Sequence, residues 1–145
     1  MRVLKYVLAC AVMFFVSAEA ATVEGLVERI GRNYETKQAE YNDMAGADRY
    51  RWEFVDVTGI PFGCRDDLNP SSCGEPVWVE GHGEIAMQRG PSVIVAVRSW
   101  IDRPDDRARV TRVFEYRREG GSWARVSIRK ITENWDNDVG WVCMR

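Results

Sequence analysis

The single histidine of the chain, His82, stands two residues before Glu84. Residues two apart on a strand share a face, so the imidazole and the carboxylate could work together as a general acid and base. A zinc deaminase site also needs a Pro-Cys-x-x-Cys sequence, which the chain lacks. We therefore interpret His82 as a surface histidine in a glycine-flanked bend. His82, Glu84 and Asp56 remain the candidate polar groups if the protein holds a ligand cavity.

Other catalytic and metal-binding patterns are missing from the sequence. There is no Gly-x-Ser-x-Gly nucleophile motif, no phosphate loop and no dinucleotide fingerprint. Asp66, Asp67 and Asn69 offer oxygen ligands, but their spacing fits no calcium loop, and such residues are typical of turns. The sequence therefore predicts no catalytic residue, no metal site and no cofactor.

Three cysteines lie beyond the N-terminal segment, Cys64, Cys73 and Cys143. The simplest outcome is one disulfide and one remaining thiol. We expect Cys64 to pair with Cys73 across a turn-rich loop, a bridge worth about 2.5–3 kcal/mol in the chain-entropy model. Cys143 would then be free or form an intermolecular bond. The alternative joins Cys143 to either of the other two.

The first twenty residues have the pattern of a cleavable signal peptide. Arg2 and Lys5 are followed by an apolar run over residues 6–16, and small residues precede Ala21 at the cleavage positions. The run is shorter than the roughly 20 residues that a membrane-spanning helix needs. We expect residues 1–20 to be removed and residues 21–145 to form one periplasmic or secreted domain with no integral membrane segment.

Composition favours a single globular domain that does not bind nucleic acid. The chain has 145 residues, of which 46% are hydrophobic and 29% charged, and its net charge is -2. Loss of Arg2, Lys5 and Glu19 with the signal peptide makes the net charge -3. A negative chain has no general attraction for nucleic acid or for anionic membranes.

The hydrophobic pattern predicts one helix followed by strands. Apolar residues recur at helical spacing between Val23 and Met44, and Gly46 is the expected stop. Alternation then indicates a strand over residues 50–55, an extended stretch over 76–87 with a bulge or bend at its glycines, and a central strand over 93–97. The predicted fold is α+β, with one N-terminal amphipathic helix packed on a curled antiparallel sheet of four to five strands.

A late hairpin around Gly120 is the best-defined unit. We assume a three-residue loop, since a two-residue loop would place Phe114 opposite Ser127. The longer loop places Arg117 opposite Arg125, with Arg129 one pair beyond. These arginines, together with Trp123, are the candidate surface for a partner that supplies carboxylates.

The helix-then-meander order and this hairpin, residues 114–126, resemble the cystatin-like and NTF2-like superfamily of α+β rolls. NTF2-like domains usually have more helix before the sheet, which favours the cystatin-like arrangement. The resemblance implies a roll but little about function, because such rolls host enzymes, scaffolds and inhibitors alike.

Two functions remain open from the sequence. The first is a secreted or periplasmic non-catalytic module that binds another protein of the cell envelope or a secreted protein, as an inhibitor, an immunity protein or an accessory subunit of an envelope assembly. The alternative is an NTF2-like small-molecule-binding roll, enzyme or carrier, with its cavity between helix and sheet. A filled interior would favour the first, and a cavity with a buried ionisable group would favour the second.

Overall fold

The computed structural model describes residues 22–56, 74–104 and 107–144. One helix precedes seven strands. The elements are α1 Val23–Ala45, β1 Tyr50–Val55, β2 Glu75–Val79, β3 Gly83–Arg89, β4 Ser92–Ile101, β5 Ala108–Glu119, β6 Ser122–Asp136 and β7 Gly140–Cys143. The predicted signal peptide lies outside the described residues.

Helix α1 has the predicted bounds because its ends carry capping residues. The Thr22 hydroxyl accepts a hydrogen bond from the Gly25 amide at 3.0 Å, which satisfies one of the free N–H groups of the first turn. Gly46 ends the helix in the left-handed conformation, with φ of 63°. The apolar stripe buries Leu26, Val27, Ile30 and Tyr34.

All strand pairs are antiparallel, and β4 lies at the centre of the sheet. The order is β2-β3-β4-β5-β6-β7, and β1 also pairs with β4. Strand β3 pairs with residues 92–95 of β4, and β1 pairs with residues 96–101. The central position predicted for residues 93–97 is confirmed.

The sheet has apolar residues on both faces. On the helix-side face, the helix stripe packs with the aromatic residues of β1 and β5 and with alternate valines of β4: Val93, Val95, Val97, Trp52, Phe54, Phe114 and Tyr116. On the outer face, a smaller cluster contains Val55, Ile94, Ala96, Val113 and Ile131. This double burial is why the centre of β4 is apolar at every position.

The predicted count of four to five strands is wrong, because the sheet has seven. The stretch over residues 76–87 is two strands, β2 and β3, since Gly81 and Gly83 adopt φ of 80° and 78° and turn the chain back on itself. Strand β6 is also longer than expected and turns into a paired β7. The expectation of a helix packed on an antiparallel sheet is confirmed.

The loop of the late hairpin is also shorter than predicted. Glu119 pairs with Ser122, so the turn contains only Gly120 and Gly121. Phe114 nevertheless pairs with Ile128 as expected, because an irregularity after Glu115 leaves Val126 as an extra residue in β6. A short turn and a bulge together give the hydrophobic register that a longer loop was assumed to provide.

Candidate functional site

The three polar groups expected in a ligand cavity do not lie in the interior of the protein. His82 is exposed in the β2–β3 turn, where its amide donates to the Val79 carbonyl and its ring contacts the edge of Phe54. Glu84 and Asp56 are exposed as well. Between helix and sheet, apolar side chains pack around Leu26 and Val95.

The predicted arginine surface is wrong in its geometry. Arg117 pairs with Ala124 and Arg125 with Tyr116, so these two arginines lie on opposite faces of the sheet. Arg129 pairs with Val113, which belongs to the outer face. The bulge in β6 is the physical reason, because one extra residue reverses the faces on one side of it.

Trp123 is a core residue and not a surface contact. Its side chain belongs to the main apolar cluster, and its indole Nε1 donates to the Thr22 carbonyl at 3.0 Å. This bond joins the late hairpin to the start of α1. A role for Trp123 in direct partner contact has no support in this position.

Cys143 is disulfide-bonded, and it is the sole cysteine among the described residues. The predicted pairing of Cys64 with Cys73 stays a prediction. Cys64 and Cys73 lie outside the described residues, as do Asp66, Asp67 and Asn69.

The outer edge of β6 is the most extensive unpaired backbone in the part of the chain that the structure describes. Strand β6 has 15 residues, but β7 pairs only with residues 133–136. We call residues 122–132 the open edge, since no described strand pairs with them on the side away from β5. Val126 is 41% and Ile128 49% exposed, so both present apolar surface to solvent.

Hydrogen bonds at the end of β6 show which of its backbone groups face outward. The Thr132 carbonyl accepts from the Met144 amide on the outer side, whereas the Trp135 amide donates to the Arg107 carbonyl on the β5 side. Because backbone directions alternate along a strand, Ile128 and Lys130 present their N–H and C=O groups to the open edge. Arg129 and Ile131 present theirs to β5.

A buried ionic network lies on the outer face, beside the end of β6. Glu133 is completely buried and accepts from Arg109 at 3.0 Å and from the Thr111 hydroxyl at 3.5 Å. Arg98 in turn donates to Thr111 and pairs with Glu53. Burial, and then repulsion from Arg109, lowers the pKa of Arg98. The Arg109 guanidinium also lies 3.9 Å from the Trp141 ring centre, so the network ties β7 to the sheet.

A second polar arrangement lies on the helix-side face. Arg112 stands directly opposite Lys130 across β5 and β6, and its Nη1 donates to the Ser99 hydroxyl at 3.4 Å. Sequence reasoning missed this pair, although the assumed register already placed residue 112 opposite residue 130. The signal in the sequence was a pair of cations, Arg112 and Lys130, two pairs along the ladder from Phe114 and Ile128.

The chain matches no protein-family model, and no curated protein or solved structure is significantly similar to it. Among the described residues, no helix combines the length and apolarity needed to cross a membrane. Those same residues also contain no cluster of three or more His, Cys, Asp or Glu side chains arranged to hold a metal ion.

Proposed function

We propose that the protein is a secreted or periplasmic non-catalytic binding module that accepts an extended segment of another protein along the open edge of β6. The observation that carries this proposal is the row of outward N–H and C=O groups on β6, beside the exposed Val126 and Ile128 side chains. An extended peptide that adds a strand to such an edge gains backbone hydrogen bonds from every second residue.

The apolar packing between helix and sheet supports the same choice. The apolar cluster there includes residues of the helix and of most strands. The polar groups on which a small-molecule roll would depend, His82, Glu84 and Asp56, lie outside it. These positions favour the binding module over the small-molecule roll.

Charge indicates the chemistry of the partner segment. Residues 122–132 contain three cations, Arg125, Arg129 and Lys130, and no acidic residue. Two copies of this edge would repel each other, as charged edges of natural sheets do. A segment with acidic side chains beside apolar ones would fit it instead, with carboxylates toward the cations and apolar groups toward Ile128. Such a partner would belong to the cell envelope or be secreted with this protein.

The test compares two substitutions at one exposed residue. Ile128→Pro removes an outward N–H group and leaves the β5–β6 hydrogen bonds intact, whereas Ile128→Val retains the donor and the branched side chain. Tagged mature wild type and both variants are used to capture proteins from envelope and medium fractions of the source cells, with quantification by mass spectrometry. Thermal unfolding checks that all three are folded.

We expect a stoichiometric partner with the wild type and with Ile128→Val, and at least about tenfold less with Ile128→Pro, a change of 1.4 kcal/mol. Equal capture by the proline variant would show that the partner does not bind this edge. Absence of any partner in all three captures would contradict the proposed function.

A further inference from the structure

Arg112 and Lys130 form a like-charged pair, and no acidic side chain of the described residues forms an ion pair with either. Side chains at directly opposed positions of antiparallel strands lie about 5 Å apart at Cβ, and like charges there are destabilising. Neither residue takes part in any ion pair of the described chain. Folding alone gives no reason to place these two cations together, because a single acidic neighbour would remove the repulsion.

A groove of about 260 Å³ opens beside Arg112. Its apolar wall includes Ile101 and Val110, and Tyr50 adds an aromatic side chain. The Ser99 hydroxyl accepts from Arg112 Nη1 and orients the guanidinium. Arg103 also lines the groove, whereas the Arg109 side chain lies on the outer face and pairs with Glu133. The groove is therefore positively charged, through Arg103 and Arg112, and partly apolar.

The buried side chain of Tyr34 lies beside Arg112. Its hydroxyl is buried, close to the Arg112 guanidinium. Burial raises the pKa of Tyr34, while the nearby positive charge of Arg112 lowers it by a smaller amount.

We propose that this groove binds a small organic monocarboxylate whose carboxylate pairs with Arg112 and whose apolar part contacts Ile101 and Val110. A guanidinium held by Ser99 is suited to bidentate bonding with a carboxylate. Lys130 adds long-range attraction from the facing position. The volume lies slightly below the 300–1,000 Å³ range typical of drug-sized ligands, so the ligand is small.

The experiment is an NMR titration of the ¹⁵N-labelled mature protein with benzoate, with benzamide as the uncharged analogue and inorganic phosphate as the oxyanion without an apolar part. Two substitutions remove one positive charge each. Arg112→Gln removes the guanidinium that is proposed to bind the carboxylate. Arg32→Gln, on the exposed side of the helix, is its control. These arms use neither Ile128 nor a protein partner, so their outcome is independent of the proposed function.

We expect benzoate to bind with a dissociation constant of order 1 mM and to shift the amides of Ser99, Val110 and Arg112. Benzamide and phosphate should bind to the wild type at least about tenfold more weakly than benzoate. Benzoate should bind to Arg112→Gln at least about tenfold more weakly than to the wild type, and to Arg32→Gln with the same affinity as to the wild type. No shift at about 10 mM benzoate, shifts centred elsewhere, or equal binding of phosphate would overturn the proposal. The ligand comparison on the wild type decides the matter even where Arg112→Gln fails to fold.

Discussion

Arg112 lies directly opposite Lys130 on the helix-side face of the β5–β6 ladder. Their repulsion should lower the stability of the protein without a ligand. We predict that Lys130→Gln raises the free energy of unfolding by about 0.2–1 kcal/mol, the usual scale of cross-strand pairs. Urea unfolding at low salt measures it, with Arg32→Gln as the control. A variant less stable than the wild type would show that Lys130 makes a favourable interaction.

Removing the buried Glu133 carboxylate of the outer face should lower the free energy of unfolding far more than Lys130→Gln changes it. Glu133→Gln leaves Arg109 without its charged partner, and breaking such a buried pair costs about 3–5 kcal/mol. The matched control is Glu53→Gln, because the Glu53 side chain is 50% exposed and its pair with Arg98 should contribute under about 1 kcal/mol. Equal losses in urea unfolding for the two variants would contradict this difference in burial.

The buried Tyr34 hydroxyl makes stability depend on pH in the alkaline range. Burial raises the pKa of Tyr34 above its ordinary value of 10.0 in the folded protein. The unfolded chain therefore loses this proton first, and stability falls as pH rises from about 10 toward the folded pKa.

Tyr34→Phe should remove the part of the fall in stability at alkaline pH that comes from ionisation of this hydroxyl. At pH 7 it should cost about 0.5–1.5 kcal/mol, the usual net contribution of one hydrogen bond, because the Tyr34 hydroxyl interacts with the Arg112 side chain. Thermal unfolding at neutral and alkaline pH measures both effects. No loss at pH 7 would show that the Tyr34 hydroxyl makes no hydrogen bond with Arg112.

How much the sequence reveals depends on how local each signal is. The helix from Val23 to Gly46 and the central strand were predictable, because spacing and capping lie within a few residues. The hairpin loop was not, since a two-residue turn with a bulge at Val126 and a three-residue loop give the same Phe114–Ile128 pair. That ambiguity placed Arg117 and Arg125 on one face when they lie on two.

The candidate sites were harder to predict than the fold. Glu133 looks like any acidic residue of an edge strand, and only the approach of Arg109 and Thr111 makes it a buried ion. The open edge depends on where β7 stops pairing, a tertiary fact with no local motif. His82 and Glu84 attracted attention because of their residue types, but the turn at Gly81 holds them at the surface.

Peptide mapping should give a different disulfide from the one first expected. Cys143 is bonded, and removal of the signal peptide would leave Cys64 and Cys73 as its available partners. We predict that non-reducing digestion of the mature protein yields a peptide linking Cys143 to one of these two. A Cys64–Cys73 peptide with a free Cys143 thiol would contradict this pairing.

The central claim, that β6 offers unpaired backbone to a partner, is tested most directly by amide hydrogen exchange of the free protein. Arg129 and Ile131 direct their N–H groups to β5, whereas Ile128 and Lys130 direct theirs to the open edge. We predict slow exchange for residues 129 and 131 and fast exchange for residues 128 and 130. Equal protection of all four amides would show that the edge is already covered, and would contradict the account.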